Sequence, residues 1–413
     1  MFKLNNRKLS FLLFLTLVAL FVLQLHNVLI YPIRRGFDAL PHLDYINYVK
    51  THWSVPMADQ GWEMFQPPLY YFASALFSLI LNPQLLGLVV WLTLVLITYF
   101  FINRLYHKID LSLAGVLIVG LLPVNIYLMP TISNELFSAL ITAVFLIVYY
   151  LNFHHEKISY KKTIIIGVIL GLCLLTKTTA LLLIPAIIID LMFLNRIRFI
   201  IKLKSLLIIL CIAYIISGWF YIRNYFAFGK FQLLNVDLPK FSSQQPISRR
   251  DFLFFTDLSG FTERKLYRSQ YDQFLSGTYF SFFYDGHNVI VPVVAYSKIG
   301  VVIVLMSFPL IILAIVGILI KKRSDDSKIM LIYPFFLFMA YIWFVIKYPY
   351  FSSIKGSYLA SLTLPLVYFI IKGVIIIKKK FNDLTLYNSI FTLYLILYVA
   401  FIIKHFWYQS WWK

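Results

Sequence analysis

The chain alternates long apolar runs with short polar joints. A helix needs about 20 apolar residues to cross the hydrocarbon core of a bilayer. Runs of that kind lie near 9–31, 84–105, 111–129, 135–153, 162–177, 178–194, 203–224, 297–320, 328–347, 357–376 and 387–407. The pattern predicts an all-α polytopic membrane protein of about eleven transmembrane helices. One more segment, "QPPLYYFASALFSLILN" at 66–82, is equally apolar, yet it opens on two prolines and is only about four turns long.

Charge decides what that segment does. With Lys3, Arg7 and Lys8 on the cytoplasmic side and 67–82 not crossing, a set of basic clusters falls on that same side: Arg104/Lys108, Lys157/Lys161/Lys162, Arg196/Arg198/Lys202/Lys204, Lys321/Lys322/Arg323 and Lys378/Lys379/Lys380. One extra crossing would put them all outside, against the positive-inside rule. The expectation is therefore a multi-pass protein of the cell membrane with a cytoplasmic N-terminus. Segment 67–82 lies at the outer interface, where Pro67 and Pro68 suit a helix start. The outer face then carries a large first loop (32–83) with interfacial helices, a turn at Pro130–Asn134, a long loop (225–296) and "KYPYFSSIKGSY". Residues 1–413 read as one membrane domain.

Composition agrees, since 61% of residues are hydrophobic and 13% charged, which no soluble domain could hide. The net charge of +20 does not point to nucleic acid, because the bases cluster at the ends of apolar runs. Cys173 and Cys211 both fall inside such runs and carry no disulfide or metal argument. The first run exceeds the core of a signal peptide and lacks a small-residue cleavage site, so a retained signal anchor is expected.

Several ionisable residues fit a plain scaffold badly. In the first loop Asp38, His42 and Tyr45 share one face of a short predicted helix; the alternative is that Asp38 caps the helix and His42 sits at a wet surface. Glu135 opens an apolar run, either lining a cavity or favouring a helix N-terminus. Lys177, flanked by threonines at an outer turn, suits a phosphate; the alternative is a snorkelling lysine. Arg223 stands among aromatics at the end of the seventh run, and Lys355 and Tyr358 open the tenth. All of them land on the outer side under the eleven-span reading. Arg249, Arg250, Arg264 and Arg268 in the long loop suit either an anionic acceptor or plain solvation.

Taken together these pieces resemble the GT-C membrane glycosyltransferases, in the branch of protein O-mannosyltransferases and lipid A aminoarabinose transferases. The matching stretches are "FDALPHLDYI" followed by "QPPLYY", then Pro123 to Glu135 as P-x6-P-x3-NE, "GLCLLTKTT", "GWFYIRNYFAFG" and "IKGSYLASLTLP". They occur in family order over roughly 30 to 370. The resemblance implies a GT-C fold, with Asp38 as the catalytic aspartate and Glu135 as the second-loop acid, where the family more often has Asp. Many relatives follow the aspartate with Glu, whereas this chain has Ala39, which leaves Asp44 or Glu63 as substitutes.

The reaction so implied moves a hexose or pentose from a polyprenyl-phosphate donor to an acceptor glycan, lipid or protein on the outer face. Asp38 acts as general base in an inverting displacement. His42, Glu63, Gln66, Glu135, Lys177, Arg223, Lys355 and Tyr358 are the expected substrate-binding residues, with the cations on the leaving phosphate. A monophosphate leaving group requires no metal or other cofactor; a divalent ion bridging Asp38, Glu135 and His42 is the alternative. The rival functions are a transporter or lipid flippase, and a glycan ligase or polymerase using a diphosphate-linked donor.

Overall fold

The computed structural model describes residues 6–153, 159–194, 197–238, 273–285, 293–319, 327–380 and 384–407. Among them every regular element is helical. Most of the long outer loop, with Arg249, Arg250, Arg264 and Arg268, lies outside the described residues, as do Lys157, Arg196 and Lys321/Lys322/Arg323.

Each predicted span coincides with a helical stretch. The first two are α1 (Asn6–Ile30) and, beyond α2 (Ala39–His52) and α3 (Leu69–Phe77), α4 (Gln84–Tyr106). The third is not one continuous helix: it is α5 (Ile109–Leu121) and α6 (Pro123–Leu128), separated where Leu122 is extended. Pro123 explains the break, because a proline drives the residue before it out of the helical region. Asn125 heals it by donating its side-chain amide to the carbonyl of Val119 at 2.8 Å. The chain continues through α7 (Glu135–Phe153), α8 (Tyr160–Leu174), a 3-10 turn at Thr178–Leu182 leading into α9 (Leu183–Phe193), and α10 (Phe199–Phe228). Then come α11 (Phe274–Phe283), α12 (Val293–Leu319), α13 (Ile329–Lys347), a 3-10 stretch at Gly356–Leu362 running into α14 (Thr363–Lys380), and α15 (Leu384–Phe406). Among the described residues eight helical stretches are long and apolar enough to cross a membrane; the shorter apolar ones include α5, α8 and the stretch containing α9.

Helix α5 is buried around most of its circumference, as expected for a helix apolar on all sides. Helices α12 and α14 cross most intimately, at Gly317 and Gly373. A Cβ on either would run into the facing backbone of Phe369 or Leu313. Small residues at such crossings let apolar helices approach closely where lipid offers no hydrophobic drive.

Two hydrogen bonds settle the path of 66–82. The Gln84 side chain donates to the carbonyl of Tyr31 at 3.1 Å and to that of Pro130 at 2.9 Å. The end of α1, the start of α4 and the turn before α7 therefore meet at one end of the bundle. The chain between residues 31 and 84 leaves and returns at that end, so α3 does not traverse the bundle. Its first amide also donates to Leu175 beyond the end of α8. Tyr70, Tyr71, Ser74 and Ala75 face inward, with the two tyrosines and Ala75 in a small core with Tyr45, Ile46 and Val49 of α2. Leu76, Leu79, Ile80 and Leu81 are exposed, an apolar edge suited to the interfacial zone of a bilayer.

Candidate active site

Asp38 stands immediately before α2 in the left-handed region, at φ 52° and ψ 23°, and its side chain makes no capping bond to the helix. The capping alternative therefore does not hold for its carboxylate. It instead accepts from Lys355 Nζ at 3.2 Å, across more than three hundred residues of sequence. Aspartate is among the few L-residues that enter this backbone region readily. Burial favours the neutral acid, but the Lys355 ammonium and hydrogen bonds from Lys355 and Trp62 outweigh it and hold Asp38 below the usual carboxylate range. Burial likewise disfavours the Lys355 ammonium, yet Tyr358 and Asp38 more than restore it, and the lysine titrates above its ordinary value.

A second ion pair lies beside the first. Lys177, in the joint between α8 and the following 3-10 turn, donates to Glu135 at the start of α7. Both side chains are nearly buried, so Lys177 does not snorkel to water. Tyr358 serves both pairs: its ring centroid is 5.2 Å from Lys177 Nζ and 5.7 Å from Lys355 Nζ.

The first loop adds a third carboxyl. Glu63 is buried and accepts from Gln66 Nε2 at 3.1 Å, while Gln66 Oε1 accepts from Asn134 Nδ2 at 3.3 Å. Burial, reinforced by the charge of Asp38, pushes the Glu63 carboxyl up to about 8. Two carboxyls in one cavity are thus driven apart, Asp38 ionised and Glu63 neutral at pH 7, the environmental division of labour that acid–base sites use. Asp44, the other possible substitute for the missing acid, is exposed on α2. His42 is buried rather than wet, with Nδ1 at 2.8 Å from Tyr71 Oη, and burial lowers the imidazole to about 4. It is therefore neutral at pH 7.

A cavity of about 580 Å³ brings these groups together: Asp38, His42, Glu63, Gln66, Glu135, Lys177, Lys355 and Tyr358 all line it. Arg223 is not among its walls. Its guanidinium donates to the Val55 carbonyl at 3.2 Å and lies over the Phe220 ring, tying the end of α10 to the first loop. Two contributors escape the sequence reading. Trp62 hydrogen-bonds to Asp38, and Tyr71 carries His42. Their only sequence signal is position, next to Glu63 and inside "PPLYY". Of the three donors expected for a bridging divalent ion, Asp38 and Glu135 each face an ammonium and His42 faces Tyr71. Among the described residues no three His, Cys, Asp or Glu side chains gather as a metal site.

Comparison with known proteins bears on the fold. Residues 66–221 match the family model described as dolichyl-phosphate-mannose-protein mannosyltransferase. No curated protein matches the chain. Among solved structures, ArnT from Cupriavidus metallidurans bound to undecaprenyl phosphate aligns with a TM-score of 0.56 at 12% identity, over 90% of this chain and 60% of that one. The Archaeoglobus fulgidus oligosaccharyltransferase in complex with Zn and sulfate aligns at 0.57 and 12% identity, over 95% and 53%. Its apo form aligns at 0.58 and 11% identity, over 96% and 56%. The chain thus spans less than two thirds of each of these proteins. The chain shares its fold with these solved membrane proteins, and residues 66–221 match the mannosyltransferase family model.

Proposed function

We propose that this protein is a glycosyltransferase that moves a sugar from a polyprenyl-phosphate donor to an acceptor hydroxyl or amine at the outer face of the cell membrane. The observation that carries this reading is a single cavity holding an ionised carboxylate, two lysines and an apolar wall. Leu181, Leu182, Leu337, Ala340 and Phe344 form that wall, and Met339 and Trp343 of the adjoining α13 are exposed along the bundle surface, a path for a lipid tail. The undecaprenyl phosphate bound to ArnT supports the same donor chemistry. The basic clusters at the opposite end of the bundle support an outward-facing cavity.

In the reaction the acceptor heteroatom attacks the anomeric carbon and passes its proton to the Asp38 carboxylate. The bond from that carbon to the phosphate oxygen breaks, and the electron pair leaves with the phosphate. Lys355 and Lys177 stabilise the charge that develops there, with Tyr358 donating a hydrogen bond. One displacement inverts the anomeric centre. Neutral Glu63 and Gln66 are placed to hydrogen-bond sugar hydroxyls. Incubating the purified full chain with a polyprenyl-phosphate hexose and an acceptor should release polyprenyl phosphate. Asp38→Asn should slow that release by about 10²–10⁴-fold. An unchanged rate would remove Asp38 from the chemistry, and release of a polyprenyl diphosphate from a diphosphate-linked donor would replace this reading with the ligase one.

A further inference from the structure

The two ion pairs of the cavity differ in one respect. In the Glu135–Lys177 pair both partners are closed off, the carboxylate side chain 13% exposed and the lysine 8%. In the Asp38–Lys355 pair the lysine is equally closed at 8%, but Asp38 is 35% exposed. Lys355 is further fixed by the Phe37 ring, 4.3 Å from Nζ, and by Tyr358. Asp38 is thus the partner with access to water, standing at a backbone kink, while the ammonium stays in place.

The charges in the proposed reaction make this asymmetry matter. The donor is a phosphate diester with one negative charge. The product is a monoester carrying about −1.5 to −2 at pH 7, so it grips a buried lysine more tightly than the substrate did. A cavity that only attracted phosphate would be trapped by its own product. During transfer Asp38 takes the acceptor's proton and becomes neutral, and Lys355 is left wholly to the phosphate. When Asp38 passes that proton to water it regains its charge and its claim on Lys355.

We propose that Asp38 is, besides the base, the competing counter-anion that clears the product: it yields Lys355 to the donor phosphate and reclaims it to expel polyprenyl phosphate. This rests on the lipid-phosphate reading above. The same exchange readies the base, because a carboxylate parted from its ammonium binds a proton more strongly. Donor binding therefore activates Asp38 before the acceptor reacts.

The test is equilibrium binding and dissociation of undecaprenyl phosphate, without acceptor, to the full chain in lipid nanodiscs. Asp38→Asn keeps the side-chain shape and a residue type that tolerates positive φ. Asp38→Gly, equally at home there, guards against an effect peculiar to the amide. Both should bind undecaprenyl phosphate at least about tenfold more tightly than the unmodified chain and release it more slowly, the worth of one competing charge-assisted hydrogen bond. Lys355→Met should bind more weakly, and adding Asp38→Asn to it should change nothing further. Equal or weaker binding by both Asp38 variants, with the unmodified chain binding normally, overturns the counter-anion role alone. If neither the unmodified chain nor the Asp38 variants bind the lipid, the lipid-phosphate reading fails and this proposal falls with it.

Discussion

The two ends of the helix bundle treat charge in opposite ways. At the cavity end Lys177 and Lys355 are each nearly buried, and each faces a carboxylate. At the other end Arg104, Lys108, Lys161, Lys162, Lys204 and Lys379 stand exposed on helix ends and short joints. An exposed ammonium keeps most of its hydration and needs no partner, so its position is fixed only loosely by its neighbours. A buried one must be matched in place, because an uncompensated charge away from water costs several kcal/mol. The same residue type is thus loosely held at one end and matched in place at the other.

The sharpest way to break this contrast is to unmatch a cavity lysine. Glu135→Ala leaves Lys177 buried without its partner and should cost about 3–5 kcal/mol, seen as a large drop in unfolding temperature of the detergent-solubilised chain. A loss below about 1 kcal/mol would mean that the pair is effectively hydrated and that the two ends are alike. Gly356→Ala tests how Lys355 is held. Gly356 donates its amide to Ser281 Oγ at 2.7 Å, and a Cβ there would meet the backbone of Ser281 and Phe282. The shift should cost about 1–3 kcal/mol and reduce transfer by displacing Lys355; full activity would show that Lys355 does not depend on this seat.

A pH test sharpens the comparison further. Glu63 has its folded value raised from 4.5 to about 8, so between those values the folded state holds a proton that the unfolded state has lost. Stability from this group is complete below pH 4.5 and falls as pH rises toward 8. Glu63→Gln should remove that slope and leave the variant relatively more stable at pH 8 than at pH 5. Parallel unfolding profiles for the two proteins across that range would place Glu63 in contact with water. The smallest effect belongs to the other end, where replacing Lys379 and Lys380 by Ala should change stability by no more than about 0.5 kcal/mol. Reactivity of Asp59→Cys and Lys108→Cys toward an impermeant thiol reagent, in a chain lacking Cys173 and Cys211, checks the orientation. Labelling at Lys108 with protection at Asp59 would reverse the assigned sides.

The legible part of this fold is the part written in runs. Apolar stretches of bilayer length have one low-energy fate in lipid, a helix with its backbone bonds closed internally, and the spacing of basic clusters then ordered them. The exception, the division at Leu122, was signalled by Pro123, but an apolar run conceals a proline unless its register is weighed against the length of the span. Ionisable character out of place in a membrane scaffold marked Asp38, His42, Glu135, Lys177, Lys355 and Tyr358, and resemblance to a family added Glu63 and Gln66, but no periodicity pairs Asp38 with Lys355 or Glu135 with Lys177. Arg223 shows the limit of that route: its motif matches, yet its guanidinium braces Val55 outside the cavity wall.

By itself the amino-acid sequence determined that this chain is a helical membrane protein, which stretches are apolar enough to cross, and that 67–82 should lie at an interface, because hydropathy and charge are properties of consecutive residues. Only the tertiary structure decided which lysine faces which acid, that Asp38 is ionised and half open while Glu63 is closed and neutral, and that Trp62 and Tyr71 hold the acid and the imidazole. Those properties depend on distance and burial among residues far apart in the chain, and neither exists until the helices have met.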